Sequence, residues 1–432
     1  MAKLALFGGD RTVTANRVSP PWPRFSRKVA NTVAKMIEEG RVSSLGTGEI
    51  VAECEEAFAK YHGVKYTLAV SSGTASLHCA VAGCDIAPGD EVITSPYSWG
   101  ATTGCILHQG AVPVFADVLE ETGLLDPASV ADRITRRTRA IVVVHIYGQP
   151  ADMPALRRIA RKHNLALIED CSQAHGAKIN GRLVGSFGDA AGFSCMYGKL
   201  LGTTEMGMMT TSLRDVRDRA LILSQQPGRR TRSLVAKKYL KYVDSLIYTY
   251  RVTDINCALL LDQLPRLAGW NKNRAANRNL LAKLTDDIPF VRFPVYPRGV
   301  EPSYHMATLR YHEDLAQGVT RETFQRAMRE EGVGLPTYVS TPIPLWERLQ
   351  ARRYQGPATS WMKTLAASGV KYSATDIPVC MGLSRKTSLQ MPFNDYTEPE
   401  PRLMRQYANA FHKVAENLDA LSKWQKKQGR NS

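Results

Sequence analysis

The chain has no apolar run near the ~18 residues that a membrane-spanning helix requires. This argues against a membrane span. Its start, MAKLALFGGDRTV, is too short and too polar for a signal peptide. None of the eight cysteines forms a CxxC pair, which argues against a zinc ribbon or a disulfide framework. Scattered thiols in a chain this long read as reduced and mostly buried, in a cytoplasmic protein. Internal repeats and low-complexity blocks are missing, so a solenoid or a disordered scaffold is set aside. Acid is in short supply: 40 Asp+Glu face 56 Lys+Arg, a net charge of +16. Such an excess suits nucleic acid, an anionic ligand or a plain solvated surface. The basic run RRTRSLVAKKYLK (Arg229 to Lys241) lacks the interleaved aromatics of a single-strand binder, which disfavours nucleic acid.

What is present is enough chain, 432 residues, for a large core and two domains. The first 30 residues, with SPPWPRF, read as an extended arm before a helix. Apolar runs then alternate with helical patterns. SGTASLHCAVAGC reads as a helix capped by Ser72, DEVITS as a strand, YSWGATTGCILHQG as a helix and VPVFADV as a strand. ASVADRITRRT and MPALRRIARKHN read as helices, AIVVVHIYG and LALIED as strands. Strands that are apolar throughout, in β-α-β-α order, imply an α/β fold: a mainly parallel sheet flanked by helices. Such sheets bind ligands beyond the carboxyl ends of their strands, and Asp170 lies at such an end. A large domain over 31–275 and a smaller α+β domain over 276–432 follow. In the latter, TLRYHED is strand-like, RETFQRAMREEG is helical, and RLMRQYANAFHKVAENLDALSKW reads as one long amphipathic helix. The tail QKKQGRNS reads as disordered.

Two groups stand out chemically. Lys199 is the only charged base in GFSCMYGKLLGTTEMG, where desolvation would lower its pKa and favour attack on a carbonyl. The plain alternative is a surface lysine whose stem covers apolar neighbours. Asp170 could simply cap a turn, or hold a protonated pyridine nitrogen. Pyridoxal phosphate needs both groups. Its phosphate also needs a cradle, and Ser72-Gly73-Thr74 opens a helix whose free N–H groups suit an anion. Ser194 could add a hydroxyl. Trp99 could stack on the pyridine ring, or pack in the core.

The stretches LALFGG, SSGTASL, DEVITSPYSW, IEDCSQAHGA, GSFGDAAGFSCMYGKLLGTTEMG and YTYRVTDINCALLLDQL together carry a family resemblance. The chain resembles the DegT/DnrJ/StrS aminotransferases of keto sugars and cyclitols, from about Lys3 to Asp395. Within them it is similar to the branch with scyllo-inosose aminotransferases and 3-amino-5-hydroxybenzoate synthases. The resemblance implies the type I aminotransferase fold, pyridoxal 5'-phosphate, and a homodimer with each active site at the interface. It places Lys199 on the Schiff-base lysine, Asp170 on the pyridine-nitrogen partner and Gln173 beside the cofactor's phenolic oxygen. It places Trp99 on the stacking position, and Gly73, Thr74 and Ser194 on phosphate contacts. Thr249 in YTYR stands where an asparagine reaches the partner's phosphate. Met206 replaces a glycine, and Met391-Pro392 replaces a His-His pair. These departures are expected around the acceptor pocket. The implied reaction moves an amino group from Gln or Glu to a cyclic ketone in secondary metabolism. Three rivals are an aminating aromatase acting on a dehydroshikimate-like acid, a related pyridoxal-phosphate enzyme that is not an aminotransferase, and a regulatory protein that kept the fold without turnover. Arg229, Arg230 and Arg232 are candidates to steer an anionic acceptor toward the partner's site.

Overall fold

Strands without polar alternation must be covered on both faces. In the computed structural model, which describes residues 2–233, 236–244, 248–351 and 360–428, seven such strands form one sheet. Their spatial order is Tyr66–Val70, Gly207–Thr211, Ala190–Ser194, Ala166–Asp170, Thr138–Val144, Glu91–Thr94 and Val112–Phe115. Successive residues of a strand enter different cores, as the pleat requires. Val142 and Ile168 pack on one face with Val92 and Ala140, while Ile141, Val143 and Leu167 pack on the other.

Six strands run the same way, and the expected parallel sheet needs one correction. Gly207–Thr211 is antiparallel to both of its neighbours. Residues 195–206 contain no crossover helix, so the chain folds straight back after Ala190–Ser194. Thr203 N–H reaches Cys195 O at 2.8 Å and closes that return. The return keeps Lys199 at the same edge of the sheet where Asp170 ends.

A second, three-stranded sheet contains Val291–Arg292, Met306–Tyr311 and Ser388–Pro392. Helices Arg321–Glu330 and Pro401–Glu416 contribute Phe324, Met328, Phe411 and Val414 to its core. Val339, Ile343, Leu349, Leu365, Ile377 and Leu383 instead pack in a core with the large sheet. We propose the division near 275 as the domain boundary, with this later segment returning to the large domain.

Four sequence expectations change. The terminal helix is two helices, Pro401–Glu416 and Leu418–Gln428. Asn417 interrupts them because its Nδ2 bonds Lys413 O at 2.8 Å, a local bond that competes with the helical ladder. The tail residues Gln425 to Gln428 are therefore helical, and 429–432 lie outside the described residues. The helix expected over ASVADRITRRT spans only Pro127–Asp132. Arg229 and Arg230 are buried rather than displayed as a steering patch. Arg229 pairs with Glu55, and Arg230 donates to the carbonyls of Ile222, Gln225 and Val243. Two of those carbonyls lie at or just beyond the C-terminus of helix Arg214–Ser224, which favours a cation. The side chain of Arg232 lies outside the described residues.

The N-terminal arm is clasped by Glu331, a buried carboxylate. It accepts from Ala5 N (2.8 Å), Thr12 N (3.0 Å), Thr12 Oγ1 (2.6 Å) and Lys413 Nζ (3.0 Å). Burial pushes its carboxyl up, but these donors outweigh burial and hold it below the ordinary 4.5. Its stabilisation is therefore complete above that value and lost as pH falls through the lower folded one. Glu331→Ala should destabilise the protein by about 3 kcal/mol at neutral pH. Urea unfolding should show this difference shrinking toward acid; a gap that is constant with pH refutes the clasp.

Candidate active site

Asp170 closes its strand and is 5% exposed. A buried carboxylate needs donors. Thr102 Oγ1 gives one to Oδ2 at 2.7 Å and Ser172 N–H one to Oδ1 at 3.1 Å. Thr102 lies in the first turn of helix Ala101–His108 and shares a 2.8 Å contact with Ser98 Oγ. Glu169, one residue earlier, has a different task. It accepts from His145 Nε2 (3.0 Å), Gly185 N (2.8 Å) and Gly188 N (2.6 Å), while His145 Nδ1 accepts from Ala151 N (3.0 Å). With these atoms committed, the His145–Glu169 pair is a clamp under the strand end rather than a ligand set.

Lys199 is half-buried in the return loop. Its N–H bonds Met196 O, and the indole of Trp22 in the N-terminal arm bonds its carbonyl, both at 2.9 Å. Burial pushes its amine below the ordinary lysine value, and the nearby Asp170 charge partly opposes that. Two buried histidines sense the same amine. His175 is pushed down to about 3 by burial and then by the charges of His62, Lys199 and Arg274. His305 is held well below its ordinary value by burial and the Lys199 charge. Both rings are therefore neutral near Lys199.

The anion cradle is built from close approaches. Ser72 caps helix Gly73–Gly83 through Ala75 N–H. A Cβ on Gly73 would sit 2.5 Å from Ser194 Cβ, so only glycine lets the helix start meet the strand end. A Cβ on Gly207 would run into the Ser72 carbonyl. Thr74 is half-buried, and Ser194 is buried beside Gly73.

Gln173 is buried and held at both ends of its amide. Oε1 accepts from Tyr147 N at 2.7 Å, and Nε2 donates to Tyr338 Oη at 3.0 Å. Trp99 is 65% exposed at the rim, beside a cavity of about 480 Å³ that Ser98, Tyr338, Trp346 and Glu347 also line. Thr249 is not brought to this site. It is exposed on a segment anchored to the cradle by Ser71 N and Tyr250 O at 2.9 Å.

Two expected departures are corrected here. Met206 and Met391 do not surround the acceptor pocket; they are buried in the cores beneath the two sheets. Their thioethers fill space that packing demands. The sequence reading missed Thr102, Trp22, Tyr147, His175, His305 and Tyr338. His175 lay in plain view in IEDCSQAHGA, two residues after Gln173. Tyr338 carried no local signal, because it enters from a proline-rich loop of the second half.

A strand-end carboxylate and a partly desolvated amine beside a glycine-lined helix start is the layout of a type I pyridoxal-phosphate enzyme. The chain belongs to the DegT/DnrJ/EryC1/StrS aminotransferase family, which matches residues 24–375. It is 32% identical over 397 residues to the L-glutamine:2-deoxy-scyllo-inosose aminotransferase of Streptomyces fradiae, covering 90% of this chain and 92% of that one. An aminotransferase structure from Psychrobacter cryohalolentis superposes with a TM-score of 0.80 at 27% identity, covering 93% and 100%. A 3-amino-5-hydroxybenzoic acid synthase structure gives 0.77 at 25%, covering 92% and 100%.

The cradle makes a direct prediction. Gly73→Ala should weaken pyridoxal phosphate binding by at least ~10-fold, because the new methyl must push Ser194 aside. Absorbance titration of the apoenzyme reads this, and an unchanged Kd removes Gly73 from the cradle.

Proposed function

We propose that the protein transfers an amino group from glutamine to a cyclic keto-cyclitol, with pyridoxal 5'-phosphate held by the residues above. The observation that carries this is the Lys199 amine within electrostatic reach of the buried Asp170, beside the Gly73–Ser194 cradle. The residues present fit the cofactor. Ser72, Gly73, Thr74 and Ser194 would hold its phosphate, Asp170 would pair with its ring nitrogen, Gln173 would meet its phenolic oxygen and Trp99 would lie along its ring. Bound pyridoxal phosphate supplies an electron sink for the pair released when the substrate Cα–H bond breaks. Lys199 takes and returns that proton as general base and acid, a task its lowered pKa suits. Neutral His175 and His305 add no positive charge that would compete with Asp170.

The relatives support a keto-cyclitol acceptor over an aminating aromatase. Identity is 32% to the 2-deoxy-scyllo-inosose enzyme and 25% to the hydroxybenzoate synthase. The internal use of Arg229 and Arg230 removes one argument for a carboxylated acceptor. Retention of both Lys199 and Asp170 speaks against a purely regulatory role. Among the described residues no helix is long and apolar enough to cross a membrane. We place the enzyme in the cytoplasm, in keeping with its eight free cysteines. We further propose a homodimer in which Thr249 faces the partner's site. Tyr248, exposed beside Thr249 in the YTYR segment, is a surface that such an interface would cover.

Lys199→Ala should lose the visible absorption band of lysine-bound pyridoxal phosphate and all transfer, with an unchanged circular dichroism spectrum. Asp170→Ala should retain some cofactor but lose turnover by at least about 3 kcal/mol in barrier. Glutamine and 2-deoxy-scyllo-inosose are the substrates for the assay. Near-normal rates in either variant refute the assigned role. Sedimentation should give twice the 47.8 kDa chain mass, and a monomer would rule out the proposed interface.

A further inference from the structure

Six residues close a hydrogen-bonded ring between the large sheet and the second half of the chain: Tyr147, Gln173, Tyr338, Gln390, Ser388 and Tyr97. Two backbone N–H groups, which can only donate, fix its polarity. Tyr147 N–H takes Gln173 Oε1, so the Nε2 end must be the one that reaches Tyr338 Oη. Tyr338 N–H takes Gln390 Oε1 at 2.6 Å, so the Nε2 end reaches Ser388 Oγ at 2.5 Å. Ser388 Oγ also accepts from Arg310 Nη1 (3.1 Å) and shares a 2.7 Å hydrogen bond with Tyr97 Oη, which lies 2.9 Å from Tyr147 Oη. The ring grips Tyr147 at both ends and keeps it at φ 62°, a left-handed conformation uncommon for a bulky residue.

One consequence concerns Tyr338. Its oxygen already receives a hydrogen bond, and no member of the ring accepts its own proton. The residue is half-buried and lines the cavity of about 480 Å³ with Trp99, Trp346 and Glu347. Trp346 is seated tightly there: a Cβ on Gly100 would lie 2.7 Å from its ring. Burial and the Asp170 charge push the Tyr338 phenol up to about 12, so the proton stays on. The cavity thus offers two indole surfaces, one obligate O–H donor and one carboxylate. A cyclic polyol fits that set, with C–H faces for the indoles and oxygens for the hydroxyl.

We propose that Tyr338 is a specificity residue for the amino acceptor: its hydroxyl donates to an oxygen of a cyclic polyol ketone seated against Trp99 and Trp346. Ser388 and Gln390 are positioning residues that act through it. This rests on the reading of the protein as a keto-cyclitol aminotransferase.

The test compares wild-type and Tyr338→Phe holoenzymes. Calorimetric titration with myo-inositol, an unreactive polyol, should show Kd rising ~10-fold, as for loss of one hydrogen bond. KM for 2-deoxy-scyllo-inosose should rise similarly, while the single-turnover rate with glutamine stays within ~2-fold. Ser388→Ala should raise the same KM by a smaller factor, and Ser388→Thr should restore it. The inference is overturned if Tyr338→Phe binds inositol and uses the ketone as wild type does, if wild type does not bind inositol, or if both half-reactions fall equally. A shifted visible band with unchanged acceptor binding also overturns it, because the hydroxyl then serves the cofactor. A wild type that fails the glutamine half-reaction refutes the proposed function instead, and the inositol titrations still decide the role of Tyr338.

Discussion

A carboxylate buried at the end of a central strand is the constraint around which this site is organised. Asp170 can stay there only if donors meet it, because an unpaired buried charge is too costly to keep. Thr102 and Ser172 supply hydrogen bonds, and the Lys199 amine interacts with its charge through space. Each of these comes from a different segment: a helix start, the turn after the strand and the return loop after the next strand. Moving any of the three would leave the charge undersupplied, so the strand ends, the helix start and the loop are fixed together.

The lysine has the opposite problem. Its amine must be desolvated to lower its pKa, yet its backbone must not wander in a loop with several glycines. The N-terminal arm solves part of this through the Trp22 indole on the Lys199 carbonyl. That arm is itself held by Glu331 of the second half of the chain, so packing there bears on where the lysine sits. Arg274 extends the connection. Its buried guanidinium lies 5.4 Å over the Trp22 ring and donates to Asn394 O.

The second half of the chain also reaches the site through the ring that includes Tyr338, Gln390 and Ser388. Uncharged groups do this work, and their directionality gives it content. Once two N–H groups fix two amides, Tyr338 Oη must accept from Gln173 and Ser388 Oγ from Gln390. Tyr338 then keeps its own O–H as a donor outside the ring, without needing a charge.

The sequence by itself determined the sheet, because apolar runs of four to seven residues separated by helices admit few other arrangements. It also marked Lys199 and Asp170 as candidates, with the capped helix at Ser72 and the glycine beside it, since residue type and neighbours along the chain are legible there. It could not show the antiparallel return of Gly207–Thr211, which depends on how residues 195–206 close rather than on their hydrophobicity. Nor could it separate Arg229 and Arg230 from a surface patch: an arginine's charge is legible in sequence, whereas the carboxylate and the helix-end carbonyls that absorb it are brought near only by folding. The same holds for Met206 and Met391, which read as changes at a pocket and are core filling. Tyr338 and His305, more than a hundred residues beyond Lys199, joined the site only when the two halves packed. Local pattern sets which elements form, but the position of a side chain in a site is a long-range property, decided by which buried polar groups find partners once the chain is compact.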